Sequence, residues 1–457
     1  MNQASKYPIT DNALCWLEMV FAERFGHAWR FTRTHGGLRL QLAGARAAIV
    51  FDKLEDGFTQ ANSDQPCTWW DAASEGWHSV LGGWLPAPGV GELPAPLIKT
   101  RAGEHIIHYD IPGLSYWMLA RVEEIGRTDL DSHERFPASS SHAFKHGYLD
   151  RPVVDEWLNV LGQVIQRQWP WIELKRHEFQ MQVSHDVDRP SLYAFKSWKT
   201  IARMMAGHIL KRRDPKAFIT APYVKLATRK SLIEADPYNT FDWLMDVSEA
   251  NGLTSAFYFI CGRTHRSKDG DYEIEHPVMR DLLRRIHERG HEIGLHPSYN
   301  TYQSSVLLKK EADRLKRICK EEGIEQTKWG GRMHYLRWEQ PTTLLAWADA
   351  SMDYDCTLGY ADRPGFRCGT CYEYSAFDST MQEQLNLRIR PLILMECSVI
   401  DEAYAGLGVT EAAAALITTL KGRCASVGGT FSLLWHNSYL GSHELADMYA
   451  KSYTPVK

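Results

Sequence analysis

The chain has 457 residues, a formal net charge of −4, and a composition of 44% hydrophobic and 24% charged residues. This balance is typical of globular proteins and argues against a disordered or a membrane-embedded chain. The length exceeds what one hydrophobic core usually supports, so we expect about two or three domains. No segment approaches the roughly 18 consecutive apolar residues that a membrane-spanning helix needs.

Two features of the sequence favour a cytoplasmic location. Residues 1–12 contain neither a basic start nor an apolar run, so they do not look like a secretion signal. The nine cysteines are odd in number and mostly far apart, which favours free thiols over a disulfide framework. We therefore predict a cytoplasmic protein.

The first part of the chain, residues 1–172, is rich in tryptophan and mixes helical and strand patterns. Apolar residues recur on one helical face over 11–25, which predicts a helix. Short apolar runs at 38–42 and 47–51 predict strands, and a second helix is predicted at 153–168. We predict a small α+β N-terminal domain, and its role stays open because it shows no catalytic pattern.

The second part, residues 173–457, alternates strand and helix patterns, as an α/β domain with parallel strands does. The run that ends at Val187 alternates apolar and polar residues, the period of a strand. Further strands are predicted at 254–260, 292–295, 392–396 and 430–435. Helices are predicted at 240–251, 277–290, 304–322, 340–350 and 410–426.

Polar side chains follow several of these strands at the point where each strand ends. In barrels of parallel strands the carboxyl ends lie at one rim, where loops converge on the active site. We therefore expect distant polar residues to meet there. They are Asp186, Asp188, His296, Glu396 and His436.

The first two of these residues form a D-x-D pair. Asp186 and Asp188 are two positions apart, so on an extended strand both carboxylates face the same side. Two carboxylates in one site push their pKa values apart unless a cation lies between them. The pair therefore favours one metal ligand and one general base, although a helix cap or the metal–nucleotide site of a glycosyltransferase would also use such a pair.

Histidines supply the other candidate groups. His296 and Asn300 are four apart and share one face if the segment turns helically. Imidazole and carboxylate ligands suit Zn²⁺, whereas an amide oxygen is a weaker and harder ligand. His291 precedes its strand and is expected to point away as a structural histidine. His436 ends an apolar run and suits a general acid as well as it suits a buried structural histidine.

Four motifs, in chain order, resemble those of a known family. They are Asp186-Val187-Asp188, the string 290–296, Arg332 and Leu434-Trp435-His436. The resemblance is to the NodB-homology polysaccharide deacetylases, carbohydrate esterase family four, and it covers roughly residues 178–440. It implies a distorted (β/α) barrel with fewer than eight regular units, and a hydrolase that acts on linear amide C–N bonds. The segments 296–300, 334–337 and 358–366 resemble a bacterial subgroup with an extra N-terminal domain.

The resemblance implies a role for each matching residue. Asp186 matches the catalytic base, Asp188 the metal-binding aspartate, and His296 the first metal histidine. Arg332 corresponds to the arginine that orients the base, and His436 corresponds to the histidine acid. The implied cofactor is a divalent metal, with zinc as the first expectation.

Two departures from the family pattern affect the metal site. The second metal histidine falls on Asn300, so the ligand set becomes Asp-His-Asn. We expect this set to bind zinc more weakly or to prefer a harder ion, unless another ligand such as His185 joins. The family's adjacent aspartates are here separated by Val187, which leaves open which one is the base. We assign Asp188 as the ligand.

The predicted function is removal of an N-acyl group, with acetyl as the first expectation, from an amino-sugar-containing substrate. Tyr335 and Trp435 offer flat faces for a sugar ring, although such aromatics are more often ordinary core or rim residues. A cytoplasmic location favours a nucleotide-linked or lipid-linked precursor of a surface glycan. Residues 189–230 contain eleven Lys or Arg and one acidic residue, Asp214, which suits a phosphate-bearing substrate, an anionic membrane surface or a solvated helical face.

Other classes of function stay open at this point. Nucleic-acid binding is disfavoured because the basic block carries no recognised binding motif. In a glycosyltransferase, Asp186 and Asp188 would bind a metal–nucleotide complex, and the two histidines His296 and His436 would have no required role. In a non-catalytic carbohydrate-binding relic, Asn300 would mark a decayed metal site. An amidohydrolase that acts on a non-sugar amide is a further alternative.

Overall fold

The computed structural model describes residues 9–455. The prediction that residues 1–12 are not a secretion signal falls mostly on residues 1–8, which lie outside the described residues. All nine cysteines carry free thiols. No helix within residues 9–455 combines the length and the apolar character needed to cross a bilayer.

The N-terminal part combines helices with a five-stranded sheet and a two-stranded ribbon. In chain order, the sheet contains the first, second, third, seventh and sixth strands as neighbours, and the ribbon contains the fourth and fifth. The helices predicted at 11–25 and 153–168 are found at those residues as α1 and α4. The strands are β1 (Trp29–Thr34), β2 (Gly37–Leu42), β3 (Ile49–Phe51), β4 (Cys67–Trp70), β5 (Leu85–Pro88), β6 (Ile98–Arg101) and β7 (Glu104–Ile107). The helices are α1 (Asp11–Phe25), α2 (Ile111–Leu119), α3 (His142–Lys145) and α4 (Val153–Gln168).

The ends of α1 show why the helix could be predicted. The Thr10 hydroxyl accepts a hydrogen bond from the backbone N–H of Ala13 at 3.2 Å, which caps the first turn. Gly26 ends the helix in the left-handed region, with φ of 83°, where glycine carries no Cβ penalty.

The second part of the chain alternates strands and helices, as predicted. Its strands are β8 (Gln180–Val187), β9 (Ser255–Phe259), β10 (Glu292–Leu295), β11 (Gly330–Gly331), β12 (Tyr354–Asp355), β13 (Tyr374–Asp378), β14 (Glu383–Ile389), β15 (Leu394–Met395) and β16 (Thr430–Leu434). Its helices are α5 (Trp198–Gly207), α6 (Pro215–Ala227), α7 (Phe241–Ala250), α8 (Pro277–Glu288), α9 (Ser305–Glu321), α10 (Thr342–Asp349), α11 (Glu396–Ile400), α12 (Glu411–Ser426) and α13 (His443–Ser452).

These strands form one nine-stranded sheet of order β13-β14-β12-β11-β10-β9-β8-β16-β15. Every neighbouring pair is parallel except β13 and β14. The eight parallel strands follow the cyclic order of a (β/α) barrel, but β14 and β15 do not pair. Among the described strands the ring is therefore open at one seam, and no closed barrel is formed.

The two parts of the chain pack against each other through one continuous hydrophobic core. Trp16 of α1 stacks on Phe377 of β13, with ring centroids 5.0 Å apart, and its indole N–H donates to the carbonyl of Ser375 at 2.9 Å. Helix α1 thereby covers the antiparallel edge of the large sheet, which would otherwise expose unpaired backbone groups.

Candidate functional site

The polar residues predicted to converge do meet at one rim of the large sheet. Asp186 lies near the end of β8 and Asp188 directly follows that strand, while His296 directly follows β10. His436 comes two residues after β16. Because these strands are parallel, their carboxyl ends lie on the same side of the sheet.

Three side chains form the centre of the site: Asp188, His296 and His334. Nε2 of His296 lies 3.1 Å from Oδ1 of Asp188, and Nε2 of His334 lies 3.4 Å from the same oxygen. One ligand-type atom from each residue falls within 4.8 Å of the others. Both imidazoles are buried, whereas the Asp188 side chain is 30% exposed. Solvent therefore reaches the cluster at the carboxylate.

The protein fixes the orientation of both imidazoles through their other nitrogen. Nδ1 of His296 lies 2.7 Å from the carbonyl oxygen of Arg332, and Nδ1 of His334 lies 3.2 Å from Oδ1 of Asp269. These oxygens can only accept, so Nδ1 donates and each Nε2 is left to face Asp188. This is how proteins orient histidines that bind metal ions.

The centre of the site attracts positive charge. Oδ1 of Asp188 and Nε2 of His334 are buried without a hydrogen-bond partner among the described residues. Burial acts to lower the pKa of His334, but Asp188 and Asp269 outweigh it and raise the pKa to about 9. Burial acts to raise the pKa of Asp188, but His334 and His296 hold it well below its usual value. Surroundings that stabilise a bound proton in this way also favour the binding of a metal cation.

A second carboxylate lies beside this cluster. Nη1 of Arg332 donates to Oδ1 of Asp186 at 2.8 Å, and the other oxygen of Asp186 lies 3.8 Å from Nε2 of His296. Arg332 is fully buried, and it also donates to the Ser184 hydroxyl at 2.8 Å and to the Cys356 carbonyl at 3.1 Å. Asp186 therefore keeps one oxygen on the arginine and directs the other toward the cluster.

An imidazole–carboxylate pair also borders the cluster. Nδ1 of His436 lies 2.6 Å from Oε1 of the fully buried Glu396, and Nε2 of His436 lies 3.9 Å from Oδ2 of Asp188. Burial acts to lower the pKa of His436, but the Glu396 carboxylate outweighs it, so the pKa lies well above its usual value. The surroundings of His436 thus favour its protonated form, and its Nε2 is directed at the site. Burial and Glu396 raise the pKa of the neighbouring Cys397 to about 12, which keeps it a thiol.

The structure places Asn300 outside the cluster, so it does not bring the predicted Asp188, His296 and Asn300 together. Asn300 is exposed; its amide donates to the Thr264 carbonyl at 3.1 Å and accepts from Arg337 at 3.2 Å. The prediction needed a helical turn after His296, but the chain turns irregularly there and α9 begins only at Ser305. His334, which follows β11, takes the third position.

Two further residues lie away from the site because of strand geometry. Trp435 is fully buried, its indole N–H donates to the Tyr439 carbonyl at 3.1 Å, and its ring packs on Tyr449. It therefore offers no face to a sugar. His185 lies on the opposite face of β8 from Asp186, as alternation requires, and burial lowers its pKa to about 3. It therefore lies outside the cluster of Asp188, His296 and His334.

Tyr335 does lie at the mouth of the site. It is partly buried, and its ring centroid is 4.7 Å from that of His334. Its backbone is left-handed, with φ of 62°, a conformation that costs a non-glycine residue energy and often occurs at functional sites. Arg135 holds this turn by donating to the Tyr335 carbonyl at 2.8 Å, and the ring of His133 lies 4.8 Å away. The N-terminal part thus contributes to the rim.

Sequence reasoning missed several of these groups. His334 belongs to a segment that carried the family resemblance, but it received no role because β11 is too short to show a strand pattern. Glu396 stood at a predicted strand end and was not paired with His436. Asp269 and His133 gave no signal at all, because each lies in a loop.

Comparisons with known proteins give one family match to the N-terminal part and distant structural similarity for the rest of the chain. A family of unknown function, DUF7033, matches residues 9–170, which is the N-terminal part alone. Among curated proteins, none matches the chain in sequence. A Mycobacterium smegmatis protein named as a polysaccharide deacetylase aligns at 17% identity and a TM-score of 0.38, covering 61% of this chain and 83% of that one. The PuuE allantoinase aligns at 10% identity and a TM-score of 0.34, covering 60% and 83%. Both TM-scores are too low to support a functional argument.

Proposed function

We propose that this protein is a metal-dependent hydrolase that removes an N-acyl group, with acetyl as the first candidate, from an amino-sugar-containing substrate. The observation that carries the proposal is the convergence of Asp188, His296 and His334 beside two further groups. These are Asp186, bound by an arginine, and His436, bound by a carboxylate. This arrangement agrees with the NodB-homology motifs of the sequence.

The three central residues fit a divalent metal ion. One carboxylate and two imidazoles are ligands that zinc prefers. Nε2 of His296 and Oδ1 of Asp188 face each other at 3.1 Å as two acceptors, which repel unless a proton or a cation lies between them. With His334 in the set, the composition becomes Asp-His-His, as in the family pattern. A metal bound there would polarise the acyl carbonyl and acidify a water molecule.

Asp186 is placed to act as the general base. One of its oxygens is held by the guanidinium of Arg332, and the other faces the cluster within 3.8 Å of His296. A water molecule held between the cluster and this oxygen would give its proton to Asp186 as it attacks the acyl carbon. Arg332 is a positioning residue, because its contacts are to Asp186 and to the protein rather than to the open side of the site.

His436 is placed to act as the general acid. Cleavage of an amide C–N bond is slow unless the leaving nitrogen gains a proton. The proton on Nε2 of His436 faces the site, and Glu396 stabilises the imidazolium that carries it. Transfer of this proton to the nitrogen would release a neutral amine. Tyr335, at the mouth, would provide an aromatic face for the sugar ring.

The test combines metal analysis with product release. Purified full-length protein is analysed for bound metal and incubated with acetylated nucleotide sugars and chitin oligomers while acetate is measured, with Asp188→Ala as the control. We expect equimolar metal and acetate release that a chelator abolishes and added metal restores, and both are lost in the variant. Absence of metal-stimulated release from every substrate contradicts the proposal. Full acetate release by His436→Ala would contradict the general-acid role of His436.

A further inference from the structure

A pair of helices follows Asp188 of the candidate site in the chain. Helices α5 and α6, joined by residues 208–214, form a hairpin that we call the basic hairpin, residues 198–227. It has a small core of its own, separate from the main one. The buried members of this core are Tyr193, Ala194, Ile201, Ala221 and Val224.

The basic hairpin exposes an unusual number of large apolar side chains. Leu210 is 79% exposed and Ile219 is 67% exposed. Isolated exposed apolar residues are ordinary, but a cluster of them indicates a surface that is covered by a partner. Of the fifteen such residues within the described chain, six lie in this hairpin: Trp198, Ile209, Leu210, Ile219, Tyr223 and Leu226.

Helix α6 is apolar on two opposite faces. Ala221 and Val224 are buried against the rest of the hairpin. Ile219, Tyr223 and Leu226, spaced by four and three residues, form a stripe on the other side, and all three are more than half exposed. A helix that is apolar all round is normally buried all round. The stripe therefore lacks a covering surface within residues 9–455.

The same region carries almost uncompensated positive charge. Of the eleven basic residues in 189–230, only Lys196 forms an ion pair with a described residue, Asp271, at 2.5 Å. Lys211, Arg212 and Arg213 are exposed at the turn beside Leu210. Basic and apolar side chains thus occur together at the tip of the hairpin.

We propose that the basic hairpin docks on the surface of an anionic phospholipid bilayer. Surface-bound helices of this kind combine Lys and Arg, which contact anionic headgroups, with Trp, Tyr and Leu, which enter the interface. A nucleic acid would account for the positive charge but not for six exposed apolar side chains. Charge complementarity and the apolar stripe together therefore favour a bilayer.

The hairpin leaves the fold at the rim that carries the candidate site. The side-chain amide of Asn437, next to His436, donates to the carbonyls of Arg189 at 3.0 Å and Tyr238 at 2.8 Å, one on each side of the hairpin. Docking would thus bring the rim toward the headgroups. The inference rests on the hairpin's own surface and holds whatever chemistry the site performs.

Vesicle sedimentation tests the proposal with the full-length protein. We expect binding to vesicles that contain phosphatidylglycerol, little binding to phosphatidylcholine alone, and weaker binding as salt is raised. Lys211→Gln, Arg212→Gln and Arg213→Gln combined should lower the partition coefficient on the order of a hundredfold. Ile219→Ser with Leu226→Ser should also lower it strongly. Circular dichroism would confirm that the variants fold, which we expect because the altered side chains are exposed.

A matched control distinguishes docking through the basic hairpin from nonspecific adsorption of the protein to vesicles. Val306 of α9 is 75% exposed and lies outside the hairpin, so Val306→Ser should bind vesicles as the unaltered protein does. Failure of the unaltered protein to bind anionic vesicles at low salt would overturn the proposal. It would also be overturned if the control lost as much binding as the hairpin variants, or if the protein bound DNA but no vesicles.

Discussion

Each imidazole of the candidate site has one nitrogen held by the protein and the other directed at Asp188. The holding groups differ: a backbone carbonyl for His296, the Asp269 carboxylate for His334, and the fully buried Glu396 carboxylate for His436. A buried carboxylate in close contact stabilises an imidazolium more than a carbonyl does. His334 and His436 thus each have a carboxylate partner that stabilises the protonated ring, whereas the partner of His296 is a neutral carbonyl.

The third ligand position can be tested by comparing two substitutions. We expect His334→Ala to weaken metal binding by more than about tenfold, because a direct ligand matters at least as much as the groups that orient ligands. Asn300→Ala should leave metal binding nearly unchanged, since the Asn300 amide is bonded to Thr264 and Arg337. Metal titration of the two purified variants measures both. The reverse order of effects would restore Asn300 as the ligand.

The role of Glu396 can be tested through pH dependence. Glu396→Gln removes the charge that raises the pKa of His436, so the pKa of His436 should fall. An acid must be protonated to act, and the alkaline limb of the kcat profile should therefore move to lower pH. We expect kcat at neutral pH to fall by about 10²–10⁴. An unshifted limb with reduced kcat would mean that Glu396 only supports the fold.

At the scale of elements, the turn after β10 is held in place by a carboxyl group on α9. Glu311 accepts from the backbone N–H of Ser298 at 2.9 Å and from its hydroxyl at 2.5 Å. Ser298 lies two residues after His296, so this contact positions the loop that leaves the site. Burial raises the pKa of Glu311 to about 7.

This shift makes stability depend on pH near neutrality. The pKa of Glu311 is higher in the folded than in the unfolded protein, so its contribution is fully present below about pH 4.5 and is lost as pH rises through about 7. We expect this group to lower the free energy of unfolding by about 2–4 kcal/mol between pH 4.5 and 8. Glu311→Gln should remove that part of the pH dependence in urea unfolding, whereas an equally steep dependence in the variant would contradict the assignment.

At the scale of the whole molecule, a buried ion network joins the two parts of the chain. Glu124 accepts from Arg121 at 2.7 Å and from Arg367 at 2.5 Å, and all three side chains are almost completely buried. Burial acts to raise the pKa of Glu124, but the two guanidinium groups hold it below its usual value. The charge of Glu124 therefore balances cations from both parts of the chain.

Loss of this charge should destabilise the whole protein. Glu124→Gln leaves two buried guanidinium groups without this carboxylate, which should cost about 3–5 kcal/mol. We also expect a single thermal transition in the unaltered and variant proteins, because the core is continuous. Glu321→Gln, in an exposed ion pair on α9, is the control and should cost less than about 1 kcal/mol. Two separate transitions would show instead that residues 1–172 and 173–457 unfold independently.

The sequence by itself determined the long helices and the positions of four site residues at the ends of strands. Helices such as α1, α4 and α9 repeat apolar residues over several turns, and each of them was predicted within one residue at either end. The strand-end positions of Asp186, Asp188, His296 and His436 followed from alternation between strand and helix, because parallel strands end at one rim.

Only the tertiary structure decided the rest. β11 and β12 have two residues each, too few for any periodicity, so His334 could not be placed beside Asp188 from the sequence. The irregular turn after His296 moved Asn300 away, and strand alternation buried Trp435. Local patterns report the conformation of neighbouring residues, whereas a ligand set depends on which distant loops the packed sheet brings together.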